Sequence, residues 1–277
     1  MVDSETLSEL GDLASALRAH LEWQRQCGTS GLPRGATPGL PELGSSQPVQ
    51  ASAVRPRQAA APQAAAPQAP APPVEPQPRP SGLPLDERQH RLEVLSQEVK
   101  GCTRCALHAK RTQTVFARGN GSSGLCFVGE GPGADEDAQG FPFVGPAGQL
   151  LDRMIAAMGL LRDEVYVCNI VKCRPPNNRK PEPEEMAACM PYLEQQIDWL
   201  EPQVIVALGA TAVQGLLGTS EGIMRLRGKW KLFKGRIAVM PTFHPAYLLR
   251  TPAAKREVWD DLQAVLRQMG RPIPPRR

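Results

Sequence analysis

Residues 204–217, VIVALGATAVQGLL, set an unbroken apolar run, Val204–Gly209, directly against a helical stretch, Ala210–Leu217. A short apolar run bounded in this way suits a strand buried on both faces, which is how the strands of parallel sheets read. The same pairing recurs on either side. Apolar runs at Leu125–Gly129, Val165–Val171 and Ile237–Met240 alternate with helical stretches at Ala147–Met158, Glu182–Leu200 and Pro252–Met269, and a further helix, Asp86–Lys100, precedes them all. Strands alternating with helices predict an α/β three-layer sandwich, a central and mainly parallel sheet flanked by helices. Sites in such sheets lie at the carboxyl ends of the strands. There the sequence puts Glu130 after the first run, Asn169 within the second and His244 just after the fourth.

Upstream the chain changes character. Of its 29 prolines, 14 fall between Pro33 and Pro84, and no Phe, Tyr or Trp occurs between Trp23 and Phe116. Sequence such as APQAAAPQAPAPP buries too little apolar area to offset the entropy of ordering, so residues 28–84 are expected to form a disordered Pro/Ala-rich tether, semi-extended where prolines are dense. Two folded halves of equal size are thereby excluded, and the folded domain is expected over 85–277. Ahead of the tether, Leu7, Leu10, Leu13, Leu17 and Leu21 recur at steps of three and four and predict one amphipathic helix within 1–27. A lone helix of that length is marginal in water. It reads equally as a docking helix for a protein partner and as a helix packed on its own domain or partly formed.

The net charge of +4 is unevenly spread: residues 1–90 hold 7 Lys and Arg against 9 Asp and Glu, whereas 91–277 hold 25 against 19. A basic folded part fits a polyanionic partner, though weakly. Locally, Arg225, Arg227, Lys229, Lys231, Lys234 and Arg236 follow one another with no acid among them, interleaved with Trp230 and Phe233, and read as a phosphate-tracking strip or as a solvated hairpin. The N-terminus opens with acids where a signal peptide needs basic residues and an apolar run, and no segment offers a membrane-spanning apolar stretch. The expectation is a cytoplasmic protein with no membrane association.

Of seven cysteines, Cys102 and Cys105 form a C-x2-C pair, followed by Cys173 and Cys189. In a reducing compartment clustered cysteines are more often metal ligands than disulfides. A helix returning from the Pro-rich loop could bring Cys189 back beside Cys173, making a four-thiolate site geometrically plausible. Spacing leaves a four-iron cluster, zinc and no metal all open. Cys126 and Cys168 lie inside apolar strands and read as small buried hydrophobes, and Cys27 as a free thiol.

After the first strand comes Gly129-Glu130-Gly131-Pro132-Gly133. The dinucleotide fingerprint fails, because Ala134 stands where glycine is needed and Asp135, Glu136 and Asp137 follow; no Gly-Lys-Ser/Thr completes a Walker loop. A tight strand-exit turn is the plain reading. The segment nevertheless continues through Gly140-Phe141-Pro142-Phe143-Val144-Gly145, and an aromatic held at a strand's carboxyl end offers a flat face for a base.

The runs GEGPGADEDAQGFPFVGPAGQLL, NIVKCRPPNNRKPEP and FHPAYLLR, in this order and with this cysteine spacing, resemble the family 4 uracil-DNA glycosylases that carry an iron–sulfur cluster. The resemblance spans roughly 97–268. It implies the uracil-DNA glycosylase-like fold, hydrolysis of the N-glycosidic bond of uracil in single- or double-stranded DNA, a monofunctional enzyme expected to act as a monomer, use in a prokaryotic cytoplasm at the nucleoid, and one [4Fe-4S] cluster on Cys102, Cys105, Cys173 and Cys189.

It also implies roles. Phe143 stacks on the flipped base, Asn169 reads the uracil edge, and Glu136 crowds the position where thymine carries its methyl group. His244 donates to uracil O2 as negative charge develops there. The family 1 relatives place a water-activating Asp where this chain has Gly131; Glu130 is the nearest carboxylate, and ordering the loop, contacting the base and holding water all stay open for it. Tyr247-Leu248-Leu249-Arg250 supplies a wedge, Leu248 or Leu249 filling the hole left by the flipped nucleotide and Arg250 touching phosphate; the start of an amphipathic helix is the plain alternative. Arg227 and Lys229 are the charges of the basic stretch assigned to phosphate. Two other functions compete: a relative that traps uracil-DNA without turnover, which carries a His-containing insert absent from NNRKPEPEE here, and a metal-cluster scaffold for a replication or repair partner.

Overall fold

The computed structural model describes residues 82–275. The helix expected within 1–27, Cys27 and nearly all of the tether lie outside the described residues. Six strands form one sheet: β1 (Ala117–Arg118), β2 (Leu125–Gly129), β3 (Tyr166–Asn169), β4 (Val204–Leu208), β5 (Lys231–Phe233) and β6 (Ile237–Thr242). Their spatial order is β1-β3-β2-β4-β6-β5. The four inner strands run parallel, and β1 and β5 close the edges antiparallel. The chain turns one way out of β2 and the other way out of β4, so the crevice between their carboxyl ends is the switch point at which open α/β sheets bind ligands.

Both β2 and β4 are buried at every residue because their alternate side chains enter two cores. Cys126, Val128, Ile205 and Ala207 face one core, which takes Leu95 and Val99 from α1 (Leu85–Lys100), Leu193 and Ile197 from α4 (Pro183–Leu200) and Val213 from α5 (Gly209–Leu217). Leu125, Phe127, Val204 and Val206 face the other, which takes Leu151 and Ile155 from α3 (Pro146–Ala157) and Leu262 and Val265 from α8 (Lys255–Gln268). These are the three expected layers. Short helices α2 (Ala134–Gln139), α6 (Ile223–Leu226) and α7 (Pro245–Arg250) complete the set.

The elements depart from expectation in a few places. The third helix-and-strand boundary lies one residue earlier, with Gly209 opening α5 rather than ending β4. β3 stops at Asn169, yet Ile170 and Val171 still donate to the carbonyls of Gly129 and Glu130. The acids at 135–137 form the first turn of α2, where carboxylates favour the positive end of the helix dipole. Among the described residues no helix is long and apolar enough to cross a membrane.

Candidate functional site

Gly129 ends β2 without a side chain, and two neighbours occupy the space it leaves. A Cβ there would lie 2.6 Å from Phe143 Cζ and closer still to Asn169 Oδ1. Phe143 holds its ring in place at a φ of 57, a left-handed conformation unfavourable for a bulky residue, and Gly148 lets the following helix approach its carbonyl. Strain of this kind persists where packing over-determines it, often at ligand sites. The ring is 6% exposed and forms part of the wall of a cleft of about 620 Å3 shared with Glu130, Gly131, Asn169, His244 and Arg250.

Asn169 sits at the carboxyl end of β3, 2% exposed. Its backbone carbonyl accepts from Lys172 Nζ at 2.7 Å, while its side-chain oxygen has no hydrogen-bond partner. Buried polar groups are almost always paired, so an orphaned amide oxygen lining a cleft indicates a ligand that brings the missing donor.

His244 follows β6 as the N-cap of α7, and its Nδ1 accepts from the Ala246 backbone amide at 3.1 Å. An accepting Nδ1 leaves the proton of the neutral ring on Nε2, which makes that nitrogen the donor. Burial pushes the imidazole down to about 4, with Arg250 adding to the effect and Glu136 opposing it, so the ring is neutral at pH 7. Gly209, at φ +86, packs behind it, 3.1 Å from the His244 Cβ at the position its own Cβ would take.

The remaining cleft residues are placed as follows. Glu136 lines it, but its carboxylate accepts from the amides of Gly133, Val144 and Gly145, at 3.1, 3.0 and 3.1 Å, and so fixes the loop that carries Phe143. The Glu130 carboxylate makes no hydrogen bond or ion pair with any other described residue. Gly131 has no room for a side chain: a Cβ would lie 2.7 Å from Val171 Cγ2. Pro175, Asn178 and Arg179 also line the cleft and escaped the sequence reading, although they belong to the quoted KCRPPNNRK run, and Tyr247 of the wedge stretch lines it too.

Two assignments on the DNA side are corrected. Leu248 is 1% exposed and belongs to the core on the α3 face, so it cannot serve as the wedge; Leu249, 44% exposed, is the leucine that faces outward, with Arg250 beside it. Arg227 is not a free phosphate contact. It pairs with Glu257 and Asp261, at 2.9 Å each, and lies over the Phe243 ring. Lys234 and Arg236 are likewise engaged by Glu194 and Asp198. The basic stretch is therefore no continuous strip, and Arg225, Lys229 and Lys231 are its charges without a carboxylate partner among the described residues.

Cys102, Cys105, Cys173 and Cys189 line a second, much smaller pocket of about 10 Å3. They come from the turn after α1, the loop after β3 and the middle of α4. The same wall holds Arg104, Arg111 and Lys172 and no carboxylate. Arg111 donates to Cys173 Sγ at 3.2 Å, and the Arg104 amide lies 3.5 Å from Cys102 Sγ. Four thiols ringed by cations and N–H donors fit an anionic thiolate centre. Burial lifts the Cys189 thiol to about 11, so a metal would have to displace its proton. Cys126 and Cys168 are fully buried in β2 and β3 as free thiols.

Comparison with known proteins agrees with this geometry. The sequence pattern of the uracil DNA glycosylase superfamily matches residues 116–263. The chain is 48% identical over 179 residues to the type-4 uracil-DNA glycosylase of Thermotoga maritima, covering 64% of this chain and 93% of the relative. It is 41% identical over 182 residues to the type-4 enzyme of Saccharolobus solfataricus, covering 63% and 84%. A type-5 uracil-DNA glycosylase of Thermus thermophilus is 33% identical over 147 residues, covering 46% and 65%.

Proposed function

The chain belongs to the uracil-DNA glycosylase superfamily and excises uracil from DNA to start its repair; from that premise we propose that it does so as a monofunctional hydrolase, using the cleft between Phe143, Asn169 and His244. The observation that carries this reading is the buried, partnerless amide oxygen of Asn169. Uracil N3–H supplies the donor it lacks, and uracil O4 accepts from the same amide's nitrogen. Cytosine presents the reverse pattern and leaves both groups unpaired, a discrimination worth far more than shape alone.

A uracil stacked in a duplex is out of reach, so its nucleotide must be flipped into the cleft. Phe143 gives it a face to stack on. As the glycosidic bond stretches, negative charge collects on the base and positive charge on the sugar. His244 Nε2–H, aimed by the Ala246 amide, donates to O2 and stabilises the departing uracil anion more than the neutral base. A neutral donor serves here, because it keeps its proton while lowering the barrier. Water then adds to an oxocarbenium-like sugar that needs little activation, and Glu130, a carboxylate of the cleft not engaged by other described residues, orients it. Leu249 fills the stack behind the flipped nucleotide, and Arg250 and Lys229 contact phosphate.

Cys102, Cys105, Cys173 and Cys189 would hold one [4Fe-4S] cluster, which supplies bracing rather than bond chemistry by tying the end of α1, the loop after β3 and α4 together. The partner implied is uracil-containing DNA, met by a monomer in the cytoplasm.

Incubation of the purified protein with single- and double-stranded DNA carrying one uracil, followed by hot alkali, should give strand breaks at the uracil. Intact strands, or a protein–DNA adduct surviving denaturation, would overturn the proposal in favour of a protein that binds without turnover. The preparation should be brown; a colourless, zinc-containing one would remove the cluster.

A further inference from the structure

We infer that Lys172 is a positioning residue, the strut through which the four-thiol site holds Asn169 in register for reading uracil. The inference rests on the reading of those thiols as cluster ligands and of Asn169 as the base reader. Lys172 is 1% exposed, among the largest fully buried side chains of the protein. Its Nζ donates to the Asn169 carbonyl at 2.7 Å, its own carbonyl accepts from the Val115 amide at 2.8 Å, and the residue lines the thiol pocket, where its backbone hydrogen-bonds the Cys189 sulfur. One residue therefore touches the backbone of the reader and the wall of the metal site. Only three residues separate Asn169 from Cys173, so little slack lies between the two places.

Charge supplies the second argument. An ammonium buried without a counter-charge is strongly unfavourable. No carboxylate pairs with Lys172 among the described residues, and the pocket it lines contains no Asp or Glu. Its other electrostatic neighbours are the Phe116 ring, 5.9 Å away, and the thiols of Cys126, Cys168 and Cys189, none of them a carboxylate. What the pocket does contain is four thiols, which become net-negative once they bind iron. The cluster is thus the counter-charge that keeps the ammonium buried, and the buried ammonium in turn fixes the Asn169 carbonyl and the end of β3. Lys172 touches neither base nor sugar. Its contribution reaches the reaction only through Asn169.

The test uses the full chain as purified, comparing wild type with Lys172→Met, which keeps the stem and removes the charge, and Lys172→Arg, which keeps the charge. Iron-loaded K172M should show a more negative cluster midpoint potential, because a cation beside the centre favours its reduced form, and kcat for uracil excision should fall about tenfold or more with KM little changed. K172R should recover most of the potential. An unshifted potential together with wild-type kcat in iron-loaded K172M overturns the inference. Should K172M fail to fold, wild type alone decides: chelating its iron should speed hydrogen exchange at 169–172, and unchanged exchange there overturns the inference. An iron-free wild type would sink the cluster reading and this one together, whereas an iron-loaded, active wild type beside an unaltered K172M would sink this one only.

Discussion

The rings of Phe143 and His244 face each other across 5.6 Å at an angle of 30°. One comes from a left-handed turn after β2 and the other from the N-cap of α7, so two distant segments meet in aromatic contact at one wall of the slot for a planar base. If stacking on Phe143 contributes the usual ~1–3 kcal/mol for an aromatic under a base, Phe143→Leu should lower kcat/KM for uracil excision by roughly 5- to 150-fold while the melting temperature moves little. Gly148→Ala should act on the same slot from behind, since its new methyl would collide with the Phe143 backbone. Both losses should be read by single-turnover kinetics; a wild-type rate in either variant would dissociate the ring from catalysis.

The depressed His244 pKa, about 4 against an ordinary 6.5, has a definite sign for stability. Between those values the unfolded chain binds a proton that the folded chain excludes, so this group's contribution is intact at pH 7 and is lost as pH falls from about 6.5 toward 4. Going from pH 7 to pH 5 should cost roughly 2 kcal/mol through this residue alone. Denaturant titrations of wild type and His244→Gln at the two pH values isolate it: the wild type should lose more stability than the variant. Equal losses would mean that the ring titrates normally and is not held as the neutral Nε2–H donor.

Leu248 and Leu249 are adjacent in sequence and opposite in role. Leu248→Ala empties a core position and should cost about 2–5 kcal/mol of stability, measured by denaturant unfolding. Leu249→Ala should leave stability within about 0.5 kcal/mol and slow excision on double-stranded DNA, with a smaller effect on single strands that have no stack to fill. A Leu249→Ala enzyme as fast as wild type on duplex DNA would remove the wedge from α7.

The contrast shows what the sequence can and cannot disclose. β2 and β4 were legible because burial on both faces leaves an uninterrupted apolar run, and Asn169 and His244 were legible because they stand at the ends of such runs. The edge strands were not: Ala117–Arg118 and Lys231–Phe233 are too short and too unevenly buried to carry a pattern. Nor does a six-residue helix contain enough turns to fix which of two neighbouring leucines faces inward. The hold of Glu136 on the Phe143 loop was hidden for a related reason, because the amides that donate to its carboxylate belong to a loop eight and nine residues on. Lys172 beside Cys-Arg-Pro-Pro looks like one more surface cation, and only the fold reveals that it is buried.

The same lesson governs the basic stretch around β5. Arg227 is tied to Asp261, whose other carboxylate oxygen accepts from Thr242 Oγ1 at 2.6 Å near the end of β6, so this cation secures α8 against the strand that delivers His244. Burial outweighs the Arg227 and Thr242 contacts and lifts the Asp261 carboxyl to about 6. Here the folded chain holds the proton longer than the unfolded one, so this group favours folding below about pH 4 and loses that advantage as pH rises through 6, opposite in sense to His244. Arg227→Met strips Asp261 of its partner and should destabilise the fold by a few kcal/mol at pH 8, with a smaller penalty at pH 5, where a protonated Asp261 no longer needs a cation. Lys229→Met, by contrast, removes an exposed charge with no partner; it should leave unfolding unchanged and flatten the dependence of DNA affinity on salt by about one counterion. Salt titrations of uracil-DNA binding read the second effect and urea unfolding reads the first. A reduced salt slope in Arg227→Met with unaltered stability would return Arg227 to the DNA interface.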